Sequence, residues 1–408
     1  MSYCLKARGS NHIIFEKNSI GYAWREKRWD AFCLVTPNWQ CSLPGYPYPG
    51  ADHDGFMQKD EIVQYIKDYA ASFAPPIKEG VEVYKLRKTS QNIFEVTTSI
   101  GVFTADQVVI ATGGYHNPKI PRIAERLPAS ITQIHSSEYK NPQSLDDRAV
   151  LVVGTGQSGC QIAEDLHLAG KQVHLSVGTA PRSPRRYRGK DVVDWLDRMG
   201  YYDLSIADHP QKEKVRAKAN HYLTGRDGGR EIDLRQFALE GMKLYGRLKQ
   251  VSDAALEFCP DLRQNLDQAD AVAESIKRSI DAFIDKNQIA APTELPYCPV
   301  WQPLQEILHL DYEQANLGTV IWCTGYQSDF SWIELPVFDG KGYPCHERGV
   351  CEVWGVYFLG LPWLYTWGSG RFSGIARDAN YLADYIMARK RTSDAAAWST
   401  VNEFLLGS

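Results

Sequence analysis

Three glycines carry the first legible chemistry in this chain. Gly154, Gly156 and Gly159 form a G-x-G-x-x-G pattern, with Gln157 and Ser158 inside it, directly after the apolar run Ala149-Val150-Leu151-Val152-Val153. Behind it Ile162, Ala163, Leu166 and Ala169 return at helical spacing. Strand, tight turn and helix start are the context in which this motif carries meaning. Gly154 permits the turn, Gly156 leaves room for a pyrophosphate against the backbone, and Gly159 lets helix pack on strand. The positive helix N-terminus then faces the phosphates. The middle of the chain is therefore expected to bind a dinucleotide.

The type of dinucleotide follows from the next strand, 172–177. An acid at its end would hold a free ribose hydroxyl, whereas arginine accommodates the 2′-phosphate of NADP. Gly178 and Thr179 stand there instead, and Arg182, Arg185, Arg186, Arg188 and Lys190 follow, so NADPH is the expected ligand. Arg182 is the first choice for the phosphate, with Arg185 and Arg186 behind it. A second nucleotide signal lies near the start, where the short strand 12–15 ends on Glu16, the place of a ribose-binding acid. The strand and glycine loop that should precede it do not occur in the sequence, which begins inside the following helix. This reads as the second half of a βαβ unit. Two further apolar strands end in small residues, at Ala111-Thr112-Gly113 and Cys323-Thr324-Gly325, and a third ends at Gly360.

The elements that must position these residues are legible in order. A helix is expected over 59–73, an antiparallel meander over 81–104, and a mostly helical, charged stretch over about 205–290, where Val272, Ile276, Ile280 and Ile284 repeat every four. Between Leu34 and Pro49 closely spaced prolines and aromatics read as a long loop, which in a compact domain is often functional. A last helix is expected beyond Gly374, with Ala379, Leu382, Ala383 and Ile386 on one face.

With 408 residues the chain is long enough for two or three domains, and 44% hydrophobic and 23% charged residues are those of a globular protein. A net charge of -4 offers no general attraction to nucleic acid or anionic membrane. The apolar run 353–370 is broken by Gly, Pro and Ser, so no membrane span is expected. Nine cysteines without a C-x-x-C pair fit reduced thiols, and Met1–Gly9 lacks the apolar core of a signal peptide; both point to a cytoplasmic protein. The ten histidines show no zinc spacing, and no metal is expected.

Taken together these features resemble the flavin-containing monooxygenase superfamily, closest in pattern to its bacterial members. The resemblance rests on Glu16 after its strand, Gly21–Trp24 in the place of G-G-x-W, the Leu43–Pro49 loop, Ala111–Gly113, Gly154–Gly159, Cys323–Tyr326 and Phe358–Gly360. Tyr22 replaces the second glycine of G-G-x-W. Of the F-x-G-x-x-x-H identifying sequence, His135, Ser136 and Tyr139 are kept, while Ala129 and Ile131 replace the Phe and the Gly. The resemblance implies an α/β protein with two Rossmann-like dinucleotide-binding domains. The FAD domain (1–145 and 319–408) is discontinuous and N-terminally incomplete, and the NADPH domain (146–318) includes the helical insertion.

It further implies that NADPH reduces FAD, that oxygen forms a peroxyflavin, and that one oxygen atom passes to a small organic substrate. FAD would meet Glu16, Trp24, Arg25, Thr112, Gly113, Gly325 and Gly360. Arg25 and Asn38 are the candidates for a direct role at the flavin. A homodimer is one assembly the resemblance allows. The alternatives are an NADPH-driven flavin reductase or oxidase, and a truncated, inactive chain that only binds NADP. A disulfide reductase is disfavoured because no C-x-x-C exists.

Overall fold

The computed structural model describes residues 1–389. At its centre lies a five-stranded parallel sheet in the order Thr132–His135, Leu317–Trp322, Ala149–Val153, Val173–Ser176, Lys243–Tyr245. Strand Ala149–Val153 is buried along its whole length because it is hydrogen-bonded on both sides and covered on both faces. Side chains alternate across a strand, so Val150 and Val152 face one layer and Ala149, Leu151 and Val153 the other. The first layer contains Ile162, Ala163 and Leu166 of helix Gln157–Leu168, and Leu262, Leu266 and Ala269 of helix Leu262–Asn287. The second contains Leu256, Phe258 and Leu310 of an antiparallel sheet built from Leu248–Val251, Ala255–Phe258 and His309–Asp311, with Tyr312 just beyond its last strand.

This corrects the expected helical insertion. Of the stretch 205–290, only Leu262–Asn287 is a long helix, and the rest is loop, short helical segments such as Leu234–Leu239, and three strands. Lys243–Tyr245 belongs to the parallel sheet itself. The strand is three residues long and too short to show a period-two pattern, so the charges around it read as helix surface. The helical face is also broader than the four-residue repeat implied. Its buried residues include Leu262, Leu266, Ala269, Ala273, Ile280 and Ile284.

Elsewhere the local signals place the elements closely. Helix Lys59–Phe73 starts on a capping box in which Gln58 and Glu61 satisfy each other's backbone N–H groups. Strands Val83–Lys88, Phe94–Thr98 and Gly101–Ala105 form the meander. Glu16 ends strand Ile14–Glu16, paired in parallel with Ile77–Glu79. Val108–Ile110 pairs in parallel with Val356–Phe358. No strand links these two pairs among the described residues. Ile14, Phe15, Val108 and Val109 are accordingly only half-buried, unlike the fully covered Ala149–Val153. The last described helix begins at 375 and buries Ala379, Leu382, Ala383 and Ile386 against Tyr357 and Leu359.

Candidate functional site

The glycine turn sits at the C-terminal edge of the parallel sheet. Gly154 has a φ of +102°, open to glycine, and its N–H donates to Ser176 O at 3.0 Å. A Cβ on Gly159 would lie 1.9 Å from Gly154 O and 3.2 Å from Cys323 Cβ, so helix and strand can approach this closely only without a side chain. A Cβ on Gly156 would meet nothing within 4 Å. Gly156 is therefore not required by packing, and the space it leaves at the start of helix Gln157–Leu168 is open. Ser158 is half-buried beside it. Gln157 and Gln161 both donate to Leu223 O, the latter at 3.1 Å, and so tie loop 218–224 across the turn.

The neighbouring strand ends meet this turn. Cys323 N–H donates to Val153 O at 3.0 Å, which carries Cys323-Thr324-Gly325 beside Gly154. His135 fixes that segment, with Nε2 donating to Gly325 O at 3.0 Å and its ring edge-on to Tyr326 at 4.9 Å. Burial pushes its pKa down, so the ring is a neutral strut. Tyr139 donates to Asp165 at 2.7 Å, and Asp165 pairs with Arg226 at 2.7 Å. The kept part of the identifying sequence thus fastens the crossover segment to the nucleotide helix.

Three expected site residues are placed differently by the structure. Arg182 is 4% exposed and pairs with Glu231 and Asp270, each at 2.8 Å, while stacking 4.4 Å over Tyr297. Burial alone would lower its pKa, but Glu231 and Asp233 outweigh it and raise it. Arg185 is buried against Phe56, donating to Asp191 at 2.8 Å and to Val35 O at 2.9 Å. Their charges are already matched inside the protein, so neither is disposed toward a 2′-phosphate. Asn38 is also buried. Its Nδ2 donates to Asp52 O at 2.8 Å and its Oδ1 accepts from Met57 N–H at 3.0 Å. Both ends of the amide hold the proline-aromatic loop closed, so Asn38 shapes that loop instead of presenting itself to a reacting atom.

Arg186 is exposed and donates to Gly228 O at 3.2 Å. A cation missed in the sequence stands where the next strand ends. Arg247 lies two residues beyond Tyr245, the register partner of Ser176, and its side chain is 59% exposed, paired with Asp261 at 2.6 Å. Only recognising Lys243–Tyr245 as a strand would have marked it.

On the other side, Glu16 Oε1 accepts from Asn18 N–H at 2.9 Å. Gly113 and Gly325 have positive φ and open space where a Cβ would be, and Gly360 has a φ of +82°. Thr112 is exposed, and its carbonyl lies 3.3 Å from His116 Nε2. Trp24 stacks on Phe372 at 5.8 Å, and Arg25 bonds Glu26 and Ser19 at the half-exposed end of helix Tyr22–Glu26. Glu16 and these residues are the ones expected to meet a flavin dinucleotide. No second glycine turn for its pyrophosphate occurs among the described residues.

Comparison with known proteins agrees with this geometry. Residues 1–236 match the family profile described as pyridine nucleotide-disulphide oxidoreductase. An uncharacterized CzcO-like oxidoreductase of Geobacillus kaustophilus is 35% identical over 394 residues, 95% of this chain and 94% of the relative. A probable indole-3-pyruvate monooxygenase, YUCCA4 of Arabidopsis thaliana, is 31% identical over 43% of each chain. A flavin-containing monooxygenase from Stenotrophomonas maltophilia shares the fold, with a TM-score of 0.64 at 16% identity over 95% of this chain and 94% of that one. The chain belongs to the pyridine nucleotide-disulphide oxidoreductase family, within the flavin-containing monooxygenase superfamily and alongside the CzcO-like oxidoreductases.

Proposed function

We propose that this protein is an NADPH- and FAD-dependent monooxygenase that acts on a small organic molecule. The observation that carries the reading is the Gly154–Gly159 turn, with its open face at Gly156, set against the Cys323–Gly325 strand end. When bound, the flavin takes two electrons from NADPH and activates oxygen, which is chemistry no side chain supplies. The protein's own residues bind and orient. Backbone N–H groups at the start of helix Gln157–Leu168 receive the nicotinamide dinucleotide's pyrophosphate, and Arg247 takes the added phosphate in place of Arg182. Glu16 holds the flavin's ribose, while Gly113 and Gly325 let the cofactors pass close to the backbone. His135, neutral and locked to Gly325 O, keeps the strand end from shifting. The names of the plant relatives carry indole-3-pyruvate, which supports a small organic substrate.

The purified protein is expected to bind FAD, to oxidise NADPH faster than NADH, and to release oxygenated product in step with the NADPH consumed. Peroxide in place of product would instead favour a flavin reductase or oxidase. NADP binding without any flavin absorbance would favour a nucleotide-binding chain without redox activity.

A further inference from the structure

Arg371 lies just beyond the turn Trp367–Gly370 and before the helix that starts at 375. Its guanidinium lies 3.9 Å over the Trp367 ring. Nη1 donates to Trp367 O at 2.6 Å and Nη2 to Asn220 Oδ1 at 2.8 Å. Both acceptors are neutral, and no ion pair forms at this arginine among the described residues. Nε and one N–H on each terminal nitrogen remain without an acceptor among the described residues. The residue is only partly exposed, and burial pushes its pKa down, opposed only by Tyr115, Tyr202 and Tyr201. Arg182, Arg185 and Arg235, in contrast, are each matched by carboxylates. Desolvating a guanidinium without a counter-charge is costly, and an incoming anion relieves that cost.

The position joins both halves of the site. Asn220 belongs to loop 218–224, which Gln157 and Gln161 tie to the nucleotide turn. Phe372 stacks on Trp24, and Gly370 approaches Gly360, since a Cβ there would meet Gly360 O at 3.0 Å. The surroundings are aromatic. Tyr202 packs on Trp367 at 4.8 Å and on Tyr201 at 5.5 Å. A planar fork of free donors set among rings suits a carboxylate attached to an apolar, ring-bearing body.

We propose that Arg371 is the substrate-binding cation of this site, and that the substrate class is an aromatic carboxylic acid held by its carboxylate. The proposal rests on reading this region as the site of oxygenation. A carboxylate is favoured over a cofactor phosphate because the rings form the wall on which the arginine lies.

The test is binding of 3-phenylpropionate and its neutral isostere 3-phenylpropionamide to the full chain at pH 7.5, followed by tryptophan fluorescence. Wild type is expected to favour the acid by about tenfold or more, as a charge-assisted two-point contact does over a neutral one. R371Q is expected to remove that preference and to change NADP⁺ and FAD affinity by less than about threefold. Undetectable acid binding, equal affinity for acid and amide, or a preference that survives in R371Q overturns the proposal. Loss of NADP⁺ or FAD affinity in R371Q along with the acid preference also overturns it, because the guanidinium then serves a cofactor phosphate. Should R371Q fail to fold, R371K takes its place. It keeps the charge without the fork, and unchanged acid affinity in that variant overturns the assignment. The measurement needs no turnover. Acid-selective binding without oxygenation therefore sinks the monooxygenase reading alone, and oxygenation without acid selectivity sinks this proposal alone.

Discussion

At the scale of single residues, two glycines of one motif have separable duties. Gly156 is open and has a φ of -65°, which alanine adopts without strain. Gly156→Ala should leave stability within about 1 kcal/mol of wild type, since an unstrained Gly→Ala gain offsets the weaker helix cap. It should nevertheless weaken NADP⁺ binding about tenfold or more, because the new methyl occupies the phosphate's place. Gly159→Ala has its Cβ 1.9 Å from a backbone oxygen and should lose about 2 kcal/mol or more of stability by overpacking. Titration calorimetry with NADP⁺ beside thermal melts checks both, and a destabilised but tight-binding Gly156→Ala would contradict this division. The arginines divide in the same way. Arg182→Ala should cost about 3 kcal/mol by removing the cation between Glu231 and Asp270, which leaves Asp270 with Arg235 alone, and should not change the NADPH to NADH preference of the surviving protein. Arg247→Ala should lower that preference, read as a ratio of kcat/KM values, with little loss of stability.

At the scale of elements, the join between Val173–Ser176 and Lys243–Tyr245 contains a titrating group. His174 is 3% exposed, bonds Tyr245 Oη at 2.8 Å, and has its pKa pushed down to about 4 by burial and then by Lys243. The folded pKa lies below the unfolded one, so the native state excludes a proton that the unfolded chain accepts. The contribution is complete above about pH 6.5 and is lost as pH falls toward 4, reaching about 3 kcal/mol. His221 and His346 are depressed to about 4 in the same way, mainly by burial. Urea unfolding between pH 4 and 7 should therefore show a steep acid limb. In His174→Phe the limb should be shallower by up to about 1.4 kcal/mol per pH unit near pH 5. An unchanged slope would mean that the ring is protonated in the native state.

At the scale of the molecule, the two regions proposed to bind nucleotides are unequally built. The sheet around Ala149–Val153 is continuous and covered, with Trp322 fully buried and its Nε1 donating to Gln133 at 3.1 Å. Among the described residues, Ile14–Glu16 and Val108–Ile110 each pair on one side only. Local opening costs less where fewer buried contacts and hydrogen bonds must break. Amides of 14–16 and 108–110 should exchange with deuterium much faster than those of 149–153 in the same protein. Equal protection would show that these edges are covered in solution. Exposed apolar edges of this kind are also where chains associate, so light scattering on storage should rise with the same segments' exchange rates.

The sequence by itself determined what depends on neighbours along the chain. The turn at Gly154–Gly159, the helix Lys59–Phe73, the meander and the buried face of the last helix follow from glycine placement, capping and apolar period, all of which act over a few residues. Glu16 at its strand end was legible for the same reason. Tertiary structure alone decided which charges remain available. Among five cations within nine residues the sequence put Arg182 first and Arg185 next, yet Glu231, Asp270 and Asp191 bury these two in ion pairs. Those carboxylates lie up to 88 residues away along the chain. Lys243–Tyr245 became a strand because the edge of Val173–Ser176 was there to pair with it, not because of its own pattern. Arg371 gained its significance from what is not beside it. Whether a cation meets a counter-charge depends on which remote segments fold against it, and residue type and local spacing do not encode that.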